Sequence, residues 1–326
     1  MHNSKHKEKI LLICPEGDLK LGLFSDIAVN DTILVKYVLI RNKFFIWIKK
    51  IIYTVNYLSG LKFKLPGWLF NCDIEQWSQG CSRIIVRSNV LEYVDIRRIQ
   101  RLRKSGIKCE LFLIDSFDGD SSTIVATKYL INSELWDRIL TFDRQDAEKY
   151  GFSFAGFHYY SKPDITLPEK SLYDLYFVGS FKGNRTKLID KSYRLLTEKG
   201  ICCHYDILSS NLKNTEGVAA GINIFRKSLP YSEILRRAIS SKCILEIIQE
   251  NQHGPSLRYF EAVVFNKKLL TNNPYVVDFP YYNSDYIQVF KDASDIDINW
   301  LKANIDVDYN YNGEFSPAKL LADDGC

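Results

Sequence analysis

Short apolar runs alternate along this chain with longer stretches whose apolar residues recur every three or four positions, and few architectures accommodate that rhythm. "KILLICPEG" reads as a strand and turn, "CSRIIVRSN" as a second strand, and "DIRRIQRLRKSG" as a helix stopped by Gly106. A buried strand ending in acids follows in "IKCELFLIDSFDGD", then a strand with a short helix behind it in "WDRILTFDRQDAEKYG". Repeated β-α units predict a parallel sheet with helices on both faces.

"YYSKPDITLPEKS", with Pro163 and Pro168 among polar residues, reads as a linker, and after it the alternation restarts. "LYDLYFVGSFKGNR" is a strand and Gly loop, "TKLIDKSYRLLTEKG" a helix with a Gly stop, and "ICCHYDIL" a strand. "YSEILRRAISS", "CILEIIQE", "SLRYFEAVVFN" and "KKLLTNN" continue as helix, strand, helix and strand. The expectation is an α/β chain of two domains, residues 1–165 and 166–326. Ligands of open α/β sheets bind at the carboxyl ends of the strands, so a cleft between two such domains is the expected site.

At 326 residues and 46% hydrophobic, the chain has material for two cores. A formal charge of +4 is too mild for a dedicated nucleic-acid binder, and no nucleic-acid partner is expected. The eight cysteines form no Cys-x-x-Cys pair and have no His at ligand spacing, which predicts free thiols in a cytosolic protein. The first apolar run meets Pro15 and Glu16 after about five residues, too short for a signal-peptide core. The segment from Val38 to Phe70 is apolar and aromatic but interrupted by Arg41, Lys43, Lys49 and Lys50, so it does not span a bilayer. Either it lies against an anionic membrane surface or it is a mostly buried helix with snorkelling lysines.

Two stretches carry candidate chemistry. Gly179 follows an apolar strand, Ser180 and Lys182 stand in the loop, and Arg185 opens the next helix with Lys187 close behind. Flexible backbone, donors and cations at a helix N-terminus suit a diphosphate. The second stretch is "IIQENQHGPSLRYFEAVVFNKKLLTNN". There His253 and Gly254 precede a helix expected to start near Pro255, leaving the amides of Ser256 and Leu257 free for a phosphate. Glu261, farther along that helix, would accept hydrogen bonds from ribose or sugar hydroxyls.

These two stretches resemble the nucleotide-sugar half of GT-B glycosyltransferases, especially bacterial enzymes of lipopolysaccharide, O-antigen or capsule assembly. "WDRILTFDRQDAEKYG" is similar to the last strand and helix of the acceptor half of the same enzymes. The resemblance implies two Rossmann-like domains facing a central cleft, with Gly179 and Arg185 approaching the donor diphosphate. It matches His253-x7-Glu261 to a His/Glu-x7-Glu pattern in which Glu261 holds the donor ribose.

The implied reaction moves a sugar from a nucleotide-diphosphate donor, a co-substrate with no further cofactor, to a glycan or glycolipid acceptor at the inner face of the cytoplasmic membrane. If the transfer inverts, a base is needed, and Glu16, Asp18, Asp115 and Asp118 stand at the carboxyl ends of first-domain strands. Arg185, Arg258 or Lys182 and helix amides would meet the charge on the leaving diphosphate. No Asp-x-Asp motif is assigned to a divalent ion, and metal independence is expected. The alternatives are a non-catalytic nucleotide-sugar-binding module and a nucleotide-sugar epimerase. A nicotinamide enzyme is disfavoured, because no Gly-x-Gly-x-x-Gly follows the first strand.

Overall fold

The computed structural model describes residues 9–17, 22–27, 31–38, 43–59, 63, 70, 72–114, 116–117, 130–131, 134–181, 185–209, 217–249 and 252–322. The chain divides into two compact units, one of residues 1–162 and 314–326, the other of residues 163–313.

The first unit runs β1 (Ile10–Pro15), β2 (Ile33–Val38), α1 (Lys43–Ser59), α2 (Ile74–Trp77), β3 (Arg83–Arg87), α3 (Ile96–Lys104), β4 (Lys108–Phe112), β5 (Arg138–Thr141), α4 (Arg144–Tyr150) and β6 (Ser153–Phe154). Its strands line up β2-β1-β3-β4-β5-β6, all parallel. Every residue of β1 and β3 is buried, as covering both faces of a parallel sheet requires. Asp95 caps α3 by accepting from the Arg97 amide, and Asp143 caps α4 through the amides of Gln145 and Asp146. Such caps contribute about 1 kcal/mol each. Gly151 ends α4 in the left-handed region, at φ 70°.

The second unit runs β7 (Tyr173–Ser180), α5 (Arg185–Glu198), β8 (Cys203–Leu208), β9 (Asn223–Phe225), α6 (Tyr231–Ile239), β10 (Ser241–Glu246), α7 (Leu257–Val264), β11 (Lys268–Thr271), β12 (Ile287–Val289) and α8 (Ile298–Lys302). Its parallel order is β9-β8-β7-β10-β11-β12, the doubly wound 3-2-1-4-5-6 arrangement of dinucleotide-binding folds. The α/β fold of two Rossmann-like units expected from the sequence is the fold found.

The expected boundary near residue 165 differs from the division between 162 and 163. The larger difference is that residues 314–326 belong to the first unit, where the sequence reading had placed them in the second. Helix α9 (Pro317–Ala322) lies in this returning segment. The Tyr160 amide donates to the Phe315 carbonyl at 2.9 Å, and Asp26 accepts from the hydroxyls of both Ser161 and Ser316. Arg83 adds a 3.5 Å bond to the Leu321 carbonyl. All seven described cysteines are free thiols, and Cys14, Cys109 and Cys243 are completely buried.

Candidate functional site

In a doubly wound sheet the strands on either side of the first strand are reached in opposite directions, which leaves a crevice at their carboxyl ends. In the second unit that crevice falls between β7 and β10, paired in register at Phe177 and Leu245. Both candidate stretches leave from these two strands.

At the end of β7, Arg185 folds its guanidinium over Gly179. A Cβ on Gly179 would stand 2.5 Å from Arg185 Nη2 and 2.7 Å from Phe177 Cζ, so only glycine admits this approach. Arg185 is half-buried, and burial pulls its pKa below the usual guanidinium value. Its Nε is buried without a hydrogen-bond partner, and no carboxylate pairs with Arg185 among the described residues. Ser180 is half-buried at the end of β7, and Lys182 lies outside the described residues.

After β10 the chain is held by a polar network that the sequence reading missed. Glu246, the last residue of β10, is buried, and its carboxylate accepts from the Ser256 and Thr271 hydroxyls and the Ser256 amide. Burial pushes the Glu246 pKa up, against these hydrogen bonds and Arg258, which pull it down. Asn272 Oδ1 accepts from the Ile248 amide at 2.7 Å, and Asn273 Nδ2 donates to the Gly254 carbonyl at 3.4 Å. Thr271, Asn272 and Asn273 at the end of β11 thus fix the loop after β10. His253 is half-buried with its ring edge-on to Tyr275, centroids 4.9 Å apart.

Three expectations need correction here. Pro255 is not the first helical residue, because Ser256 is the N-cap of α7, which begins at Leu257, and its Oγ accepts from the Arg258 amide at 3.1 Å. The Ser256 amide is not free for a phosphate, since it donates to Glu246. Arg258 is not an uncommitted cation, for its Nη2 pairs with Glu261 Oε1 at 2.6 Å, one helical turn away. Glu261 itself is fully buried, and Oε1 also accepts from the Tyr231 hydroxyl at 2.8 Å. Its other oxygen, Oε2, is buried with no hydrogen-bond partner among the described residues. Burial pushes the Glu261 pKa up, while Arg258 and Tyr231 pull it down.

In the first unit the corresponding crevice lies between β1 and β3. Glu16 follows β1 directly and is half-buried, whereas Asp18, Asp115 and Asp118 lie outside the described residues. At the end of β3, buried Arg87 donates to the Tyr159 hydroxyl at 2.7 Å and faces the rings of Phe24 and Tyr159. Asp-x-Asp occurs at 118–120, 295–297 and 306–308. One of the three caps helices and another holds a turn. Asp295 accepts from the Asp292 amide, Asp297 caps α8, and Asp308 accepts from the Asn310 amide.

No family model matches the chain, and no curated protein matches it. Among solved structures, the chain is similar to a UDP-N-acetylglucosamine 2-epimerase from Rickettsia bellii, at 11% identity and TM-score 0.48, over 97% of this chain and 93% of that one. It is similar to a UDP-forming α,α-trehalose-phosphate synthase from Burkholderia xenovorans, at 10% identity and TM-score 0.49, over 88% and 89%. A DNA-modifying β-glucosyltransferase is similar at 13% identity and TM-score 0.46, over 90% and 87%.

Proposed function

We propose that the chain is a glycosyltransferase of the GT-B kind, which moves a sugar from a nucleotide-diphosphate donor to a glycan acceptor carried on a lipid. Arg185 is the observation that carries the reading. A half-buried guanidinium at a sheet's crevice, its Nε out of water and with no carboxylate paired to it among the described residues, is poised for an anion. A diphosphate matches it in charge and in planar hydrogen-bonding geometry, and the first turn of α5 adds backbone amides at the same place.

Sugar transfer breaks the bond between the anomeric carbon and a phosphate oxygen, and the electron pair leaves with the diphosphate. Arg185 would stabilise that growing charge, so the reading requires no metal. In an inverting transfer a carboxylate takes the proton of the acceptor hydroxyl, and the candidates remain Glu16, Asp18, Asp115 and Asp118. The network around Glu246 holds the loop at His253 and Gly254 in one conformation, which suits a donor subsite. A role in lipopolysaccharide, O-antigen or capsule assembly at the inner membrane face completes the proposal and rests on the sequence resemblance.

The test is a panel of nucleoside diphosphates and nucleotide sugars in thermal-shift measurements on the wild type and Arg185→Ala. A diphosphate that raises the melting temperature of the wild type and much less that of the variant is the expected result. Equal shifts in both proteins would remove Arg185 from the site. Turnover is then followed with and without a lipid-linked glycan, in buffer and in EDTA. Nucleotide release that needs the acceptor and survives EDTA is expected, and isomerisation of the donor without nucleotide release would establish the epimerase alternative.

A further inference from the structure

Helix α1 has two faces of opposite character. Lys49, Tyr53 and Asn56, spaced four and three apart, are buried at 2% exposure each. The Lys49 ammonium lies over the rings of Phe70 and Tyr93, at 4.6 and 5.7 Å from their centroids. This face belongs to the core, so Lys49 is no surface cation.

On the other side Trp47, Ile51, Val55 and Leu58 follow at intervals of four, four and three, and they are 59, 42, 39 and 76% exposed. Phe63, beyond the helix, is also apolar and 55% exposed. Its backbone is clamped to Asn56, which accepts from the Phe63 amide at 2.9 Å and donates to its carbonyl at 3.1 Å. Large apolar side chains aligned on one helix face stay in water only at a cost, and such patches mark surfaces that are covered in use.

Charge selects the occupant. Between Asp31 and Asp73 the chain carries no Asp or Glu and, besides the buried Lys49, six Lys or Arg residues, while the rest of the chain holds 36 bases against 39 acids. The longest acid-free stretch of the chain therefore contains the one helix with an exposed apolar stripe among the described residues. Among those residues no helix is long and apolar enough to cross a membrane. An apolar stripe with a tryptophan, set in an acid-free basic segment, matches a bilayer surface bearing anionic headgroups, where the helix would lie flat.

We propose that the outer face of α1 docks the protein on an anionic lipid bilayer, with Trp47, Ile51, Val55 and Leu58 entering the boundary between headgroups and acyl chains. This surface does not depend on the donor reading.

The experiment is vesicle flotation of the full chain with phosphatidylcholine alone and with phosphatidylcholine containing phosphatidylglycerol, at low and high salt. The variant is Trp47→Ser combined with Leu58→Ser, two exposed positions, with its fold checked by circular dichroism. Binding to the anionic vesicles should weaken at high salt and fall about tenfold in the variant or on neutral vesicles. Absent binding to anionic vesicles, or equal binding by wild type and variant, overturns the proposal. A dimer seen by analytical ultracentrifugation without lipid and dissociated in the variant also overturns it, assigning the stripe to a second copy. A nucleotide-induced thermal shift measured on the same variant reports separately on the donor site.

Discussion

Arg83 in the first unit is buried and Arg185 in the second is half-buried, and the surroundings of the two guanidiniums differ. Arg83 opens β3 and donates twice to Glu110, at 3.0 and 2.7 Å, and Arg138 closes the same carboxylate from the other side at 3.1 Å. Arg185 follows the opposite end of its strand, and no carboxylate pairs with it among the described residues. A cation neutralised inside the fold serves the fold, whereas one left without an anion at the carboxyl end of a crevice strand is available to a ligand. The position along the strand and the presence of a counter-ion separate the two roles.

The largest test of this contrast is Glu110→Ala, which strands Arg83 and Arg138 around a missing anion. It should cost about 3–5 kcal/mol in denaturant unfolding, as loss of one partner of a buried pair does. Arg185→Ala should leave stability unchanged within about 1 kcal/mol and instead weaken nucleoside diphosphate binding about 10- to 100-fold by calorimetry. A large stability loss there would place Arg185 with Arg83 as a structural cation. Gly179→Ala tests the close approach itself. The added methyl group displaces either Arg185 or Phe177, so about 1–3 kcal/mol of stability and most of the diphosphate affinity should be lost together.

The smallest effect concerns pH. The Glu261 pKa is raised by burial above its ordinary 4.5, so its neutral form is the one the fold prefers. The stability it contributes is complete below that value and is lost as pH rises through the folded pKa. Glu261→Gln, which never ionises, should therefore melt increasingly favourably relative to the wild type as pH rises from 4 to neutrality. Movement the other way would show that the Arg258 pair outweighs burial.

The sequence disclosed the strands that are long and punctuated. β1, β3, β4, β5, β7, β8, β10 and β11 all stand where apolar runs meet turn residues or change to helical spacing. β2 was hidden because Ile33–Val38 continues into further apolar residues with no Gly or Pro to mark its end. β6, β9 and β12 have two or three residues each, too few to show a period. The close approach of Arg185 to Gly179 had its signal in a glycine and a cation that follow a buried strand. Glu246 was not legible, since a lone glutamate inside the apolar run from Cys243 to Ile248 looks like the solvent-facing position of a strand. The Arg258–Glu261 pair was written in the sequence as an i, i+3 spacing of opposite charges.

The hydrogen bond from Tyr160 to Phe315, and the shared anchor of Ser161 and Ser316 on Asp26, make the second unit an insertion whose entry and exit are neighbours. Residues 163–313 leave the first unit and come back to the point of departure, so in a genetic sense they form a cassette. A short loop between Lys162 and Glu314 would close the first unit while keeping its last helix, and the excised cassette would retain a complete six-stranded sheet. Whatever ligand specificity that sheet carries would then be exchanged between chains as a single block.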